Sequence, residues 1–240
     1  MGASIAVQGH SHAETDHLEN TGSGILRASV FGVSDGLVSN LALVMGVAGG
    51  SQSADAVVLA GTAGLLAGAF SMAAGEYISM ITQRETMEKQ LHVEREHIVD
   101  FPEEEEAHLA RLLGESGLDA DVANDMARKI HEKVDPALDF HALLELGIVP
   151  NQMGSPFAAA VASFFSFVAG AAIPLLPWLV GDTALTISIG VSGAALLVVG
   201  GAVTRYTHRS LLVGALRQLA FGGTAAAVTW GVGRAVGSLL

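Results

Sequence analysis

Apolar and polar stretches alternate along this chain, and their lengths decide the elements they predict. Residues 25–50 are mostly apolar, and about 20 such residues suffice for a helix to cross the hydrocarbon of a bilayer. A short turn over 51–54 leads to a second apolar stretch, 55 to about 82. Its small residues Gly61, Gly64, Gly68, Ala69 and Gly75 allow another helix to approach closely. No Pro or Gly falls between Glu76 and Pro102, so this helix is predicted to continue into water through Leu91, His92 and Glu94 until Pro102 breaks it. Short amphipathic helices should follow over 103–113 (ending at Gly114), 119–133 (ending before Pro136) and 137–146 (stopping at Gly147). Three more apolar spans complete the pattern: 156–180, which Pro174 and Pro177 should kink or end, 183–203, and a weaker one, 211–240. The expected fold is all-α, a five-span transmembrane helical protein with a small helical domain inserted between spans two and three. Its parts are a polar tail (1–23), spans one and two (24–82), the inserted domain (83–153) and spans three to five (154–240).

Composition agrees with a membrane protein. Half of the 240 residues are hydrophobic and 15% are charged, with 29 glycines and few aromatics; soluble domains carry about 25% charged residues. The formal net charge of -12 comes mostly from 83–153, which also holds five of the nine histidines. With 12 Lys and Arg and no basic patch, a nucleic-acid partner is not expected. No basic stretch precedes an apolar core at the N-terminus, so no cleaved signal peptide is expected. The absence of cysteine leaves oxygen, imidazole and thioether as metal ligands. Basic residues flank the spans on one side only: Arg27, Arg84, Lys89, Arg205 and Arg209 against none in 50–55 and 181–183, with Arg234 as the exception. The bias of Lys and Arg toward the cytoplasm then puts the N-terminus and the inserted domain inside, and the C-terminus outside.

Asp35 is the strongest chemical signal in the spans. A carboxyl there costs about 2.5–3.5 kcal/mol on insertion scales, so function is favoured over helix packing. Ionised it holds a cation and neutral it holds a proton, which is the basis of exchange. Asn40 reads equally as a ligand or as a bridge between helices. Met72 alone is commonly core filler, but beside Asp35 it would suit a borderline transition metal. Glu76, one turn beyond, either guides cations or sits at the interface. In the inserted domain, Glu94 with His97 and Glu105 with His108 are spaced i,i+3, and His141 with Glu145 i,i+4, so each pair shares a helix face. One such pair is more commonly a solvated acidic face; three matched pairs favour a metal site. Glu-x-x-His also occurs in di-iron carboxylate proteins, so a membrane-anchored iron store, oxidase or metal sensor is the rival class. Pro102, separating the first two pairs, speaks against a buried oxidase site. His10, His12 and His17 read as part of a disordered tail, with metal scavenging as the alternative. No nucleophile constellation and no phosphate loop is present, so neither an enzyme nor ATP drive is expected.

Four segments in order, DGLVSNLALVMGV (35–47), GAFSMAAGEYIS (68–79), LELGI (144–148) and GSPFAAAVASFFSFVAGAAIPLLP (154–177), resemble the vacuolar iron transporter family. The resemblance covers nearly all of 25–240 and is nearest to a bacterial-type member. It implies a homodimeric secondary transporter that exports Fe2+, and Mn2+, Co2+ or Zn2+, from the cytosol in exchange for protons. The membrane would be the cell inner membrane in a bacterium and the vacuolar membrane in a eukaryote. By the same resemblance Asp35 and Met72 carry the ion. Glu94, His97, Glu105, His108, His141 and Glu145 occupy the metal-collecting positions, where the family uses mainly glutamates and a methionine. Two departures stand out. A second-span glutamate of the family falls on Gly64, and half of the collecting ligands are histidines, which favour Zn2+, Co2+ and Ni2+ over harder ions.

Overall fold

The computed structural model describes residues 12–51, 53–149, 154–180, 184–206 and 210–239, and all its regular elements are helical. They are α1 (His12–Gly50), α2 (Ala54–Asp100), α3 (Pro102–Glu115), α4 (Ala120–His131), α5 (Val134–Leu144), α6 (Pro156–Leu175) with a 3-10 turn (Leu176–Leu179), α7 (Ala184–Tyr206) and α8 (Leu211–Gly237). Among the described residues, five helices are long and apolar enough to cross a membrane. At 1.5 Å per residue the 47-residue α2 is about 70 Å long, more than twice the roughly 30 Å of hydrocarbon. Its second half is therefore built for water, as the missing breaker before Pro102 predicts.

Several boundaries differ from expectation. α1 begins at His12, inside the stretch read as a disordered tail; no proline interrupts it there. His10 lies outside the described residues. α3 passes through Gly114, and the stopping glycine is Gly117 at φ 101°. There Leu118 N–H donates to the Leu113 carbonyl at 3.3 Å, closing a Schellman-type end. α5 starts at Val134 and takes Pro136 into its first turn, where a missing N–H leaves no helical bond unmade. Pro174 sits inside α6, and the helix tightens to 3-10 at Leu176. The Ser188 hydroxyl donates to the Pro174 carbonyl at 2.7 Å.

The chain divides into two compact units: Gly22–Ile78 with Ser155–Leu240, and Met1–Thr21 with Ser79–Gly154. In the first, Leu37, Leu41, Val44 and Met45 of α1 pack with Val57, Leu175 and Leu196. Gly36 and Gly170 bring α1 and α6 backbone to backbone. A Cβ on Gly36 would fall 2.2 Å from the Phe167 carbonyl oxygen, and one on Gly170 2.1 Å from that of Val33. In the second unit, Leu109 and Leu113 of α3 pack on Ala123 and Ala127 of α4. Ile98 of α2 packs on Ala137 and Leu138 of α5. Small alanines on α4 and α5 let these short helices close in, so their polar edges meet.

Candidate metal centres

Within the unit Gly22–Ile78 with Ser155–Leu240, a cavity of about 210 Å3 is lined by Asp35, Ser39, Asn40, Gly64, Met72 and Phe167, among others. Ser39 donates to Asp35 Oδ1 at 3.0 Å. Asn40 is 2% exposed, and its Nδ2 donates to the Ala171 carbonyl at 2.6 Å. That bond fixes the amide orientation, and Asn40 Oδ1 is left buried with no partner. An unsatisfied buried acceptor costs about 1–3 kcal/mol, so it marks a place where a ligand would be welcome. Gly64 matters here: a Cβ would stand 3.3 Å from Asn40 Oδ1 and closer still to the Leu43 side chain. Asp35, Asn40 and Met72, which the sequence singled out, thus line one space. Glu76 is not among the lining residues. Its carboxylate takes Arg27 Nη2 at 2.9 Å.

Within the unit containing Ser79–Gly154, α2 supplies Glu94, α3 supplies Glu105 and His108, and α5 supplies His141, with Glu145 capping its C-terminal end. His141 is fully buried and Glu94 is 7% exposed. His141 Nδ1 lies 3.0 Å from Glu94 Oε1, 3.7 Å from Glu145 Oε2 and 3.8 Å from Glu105 Oε2. Although the first distance is short, neither His141 Nδ1 nor Glu94 Oε1 completes a hydrogen bond. His108 Nδ1 is 3.5 Å from Glu105 Oε2 and 3.9 Å from Glu145 Oε2. Two ligand groups result, Glu105–His108–His141 and Glu94–His141–Glu145, each with its donor atoms within 4.8 Å of one another. His97 stands at the rim, its ring half-exposed, with Nδ1 4.0 Å from Glu105 Oε1. Five of the six residues expected from spacing therefore converge, and His97 lies just outside.

The electrostatics suit a cation. Burial pushes the Glu94 carboxyl above its usual range, and the nearby charges of Glu145 and Glu105 add to this. Burial likewise holds His141 below its ordinary value of 6.5 against the opposing pull of Glu105, which keeps it neutral at pH 7 with a lone pair to give. Three carboxylates around one neutral imidazole repel one another until a positive charge enters. At the exposed edge, Arg95 meets Asp135 at 2.6 Å, and Arg128 and Lys129 hold Asp125. One histidine escaped the spacing argument. His131 of α4 meets the His141 ring edge to face, centroids 5.3 Å apart at 86°. It has no acid partner on its own helix face, so only the tertiary arrangement reveals it.

Comparison with known proteins decides the family. The model of the VIT family matches residues 26–234. The chain belongs to the VIT family. Its relatives include the vacuolar iron transporter of Acanthamoeba castellanii, 36% identical over 236 residues, covering 97% of this chain and 85% of that protein. Vacuolar iron transporter 1 of Eucalyptus grandis is 30% identical over 221 residues, covering 91% of this chain and 89% of its own. The rice (Oryza sativa subsp. japonica) protein of the same name is 29% identical over 237 residues, covering 97% and 94%. This VIT family chain is a multi-pass membrane protein, and the four segments that carried the resemblance all fall inside the matched range.

Proposed function

We propose that this VIT family protein is a secondary transporter that moves Fe2+ out of the cytosol in exchange for protons, with Mn2+, Co2+ and Zn2+ as further cargo. The observation that carries the reading is the cavity at Asp35, whose lining includes Met72 and Asn40, the latter with a buried Oδ1 that has no partner. A carboxylate and an amide oxygen suit Fe2+ or Mn2+, and a thioether tilts the set toward softer, later metals and away from Mg2+ and Ca2+. Asp35 takes a proton when the metal leaves, so the two cargoes exclude each other at one group. Names of the relatives, all vacuolar iron transporters, support iron as the principal ion. The second unit collects metal from the cytosol through Glu94, Glu105, His108, His141 and Glu145, with His97 at the entrance. The one-sided basic residues support a cytoplasmic placement of that unit and of the N-terminus. The protein acts as a homodimer, a reading supported by the small residues along α2, whose apolar window is only 17% buried within one chain. The test is Fe2+ flux into proteoliposomes under a pH gradient. Asp35→Ala should abolish pH-driven flux, and flux at the wild-type level would sink the mechanism.

A further inference from the structure

The ion pair between Arg27 of α1 and Glu76 of α2 takes no part in the chemistry above, yet its place ties it to the cavity at Asp35. A Cβ on Gly64 would meet the Leu43 side chain, and Arg27 meets Glu76. The two helices therefore run antiparallel, and the ion pair lies beyond the end of the cavity marked by Asp35 and Met72. Glu76 follows Met72 by one turn, and Arg27 precedes Asp35 by two turns, about 12 Å along the axis. Arg27 Nη2 stands 2.9 Å from Glu76 Oε1, but the partners are unequally exposed: the Glu76 side chain is 13% accessible and that of Arg27 67%. A carboxylate withdrawn this far from water needs a positive partner. A guanidinium that is already mostly hydrated loses little when it lets go. The pair is thus a fixed anion with an exchangeable cation. Exchange favours higher charge, because a monovalent ion only replaces the attraction that Arg27 gave, whereas a divalent ion doubles the charge facing the carboxylate.

We propose that Glu76 is the ligand a divalent cation meets before Asp35 and Met72, and that Arg27 is the resident counter-ion this cation must displace. This rests on the transport reading above, in which that end of the cavity faces the cytosol. Arg27 then sets a threshold at the entrance: divalent ions pass to the carboxylate, and monovalent ions do not dislodge the guanidinium.

Initial rates of Mn2+ flux by the full-length protein in proteoliposomes, at a fixed pH gradient and varied Mn2+ concentration, test the assignment. Glu76→Gln should raise KM severalfold with little change in kcat. Arg27→Gln should lower KM severalfold and make the flux sensitive to Na+, which then competes for an unguarded carboxylate. Adding Arg27→Gln to Glu76→Gln should change KM no further. A merely structural tie between α1 and α2 would move KM in the same direction in both single variants, and that outcome overturns the proposal. A measurement on the wild type covers a variant that fails to fold. Modification of Arg27 by phenylglyoxal in the detergent-solubilised protein, followed by mass spectrometry, should quicken severalfold on adding Mn2+; a rate indifferent to Mn2+ overturns the displacement. If wild type carries Mn2+ and Asp35→Ala does not, yet the two KM shifts agree in sign, this proposal alone falls. Flux at the wild-type level in Asp35→Ala overturns the transport reading instead.

Discussion

At the scale of single residues, two groups carry most of the proposed chemistry. Asn40 Oδ1 and the His141 ring are buried and find no hydrogen-bond partner among the described residues, and in the proposed mechanism a cation supplies what each lacks. The amide of Asn40 is held by the Ala171 carbonyl, so Asn40→Leu should lower Fe2+ flux severalfold while Asn40→Gln, with a longer reach, retains part of it; initial rates in proteoliposomes measure both. The pH dependence of the proposed collecting site follows from burial. His141 titrates below 6.5 in the fold, so on acidification the unfolded chain takes its proton first. The metal-free unit is therefore destabilised as pH falls through the interval from 6.5 down to the depressed value. Glu94 has the opposite sign: its carboxyl lies above 4.5, so its ionisation penalty appears as pH rises from 4.5 through the raised value. Metal binding displaces protons from both groups. Zn2+ affinity should accordingly fall as pH drops below 6.5, approaching tenfold per pH unit for each proton displaced, as read by calorimetry.

At the scale of elements, short helices do the aligning. α3 and α5 are 14 and 11 residues long, too short for stability in isolation, and they hold their ligands only because alanines let them pack. The Pro102 break turns the chain so that Glu105 and His108 come back toward Glu94. Gly117 ends α3 at φ 101°, a conformation costing about 1–2 kcal/mol for any other residue. Gly117→Ala should lower the melting temperature of the protein by a few degrees without changing metal stoichiometry, measured by thermal unfolding with and without Zn2+. Gly36→Ala is a stronger lesion, because the new methyl would meet the backbone of Phe167 at 2.2 Å and of Ala171 at 3.0 Å. α1 and α6 must then separate, and flux should be lost together with thermal stability. That pairing of losses distinguishes it from Asp35→Ala, which should lose flux alone.

At the scale of the whole molecule, five helices among the described residues are long and apolar enough to cross a membrane, and the proposed topology puts the N-terminus and the helical insert on one side and the C-terminus on the other. The chain has no cysteine, so single cysteines can be introduced without background. Ser53→Cys should react with an impermeant thiol reagent from the side opposite to Glu104→Cys, and Ser238→Cys from the same side as Ser53→Cys. Labelling of all three from one side would overturn the topology. The rival reading, an iron oxidase, is tested on the same protein: Fe2+ added to the purified full chain should consume no oxygen above the buffer rate.

The sequence by itself determined the class of the fold, because length and apolarity alone decide what can span a bilayer, and prolines and glycines mark where helices stop. It also exposed Asp35, since a charge in an apolar run is costly wherever the helix lies, and the three acid–histidine pairs, since i,i+3 and i,i+4 spacing is a property of one helix. Boundaries such as Gly117 over Gly114, and Pro136 inside α5, depended on which backbone groups found partners. Which pairs converge was a matter of packing between helices far apart in the chain: His141 came to belong to both acid–histidine groups, His97 stayed at the rim, and Glu76 turned to Arg27. His131 belonged to no local pattern. Only the assembled helices bring its ring against that of His141.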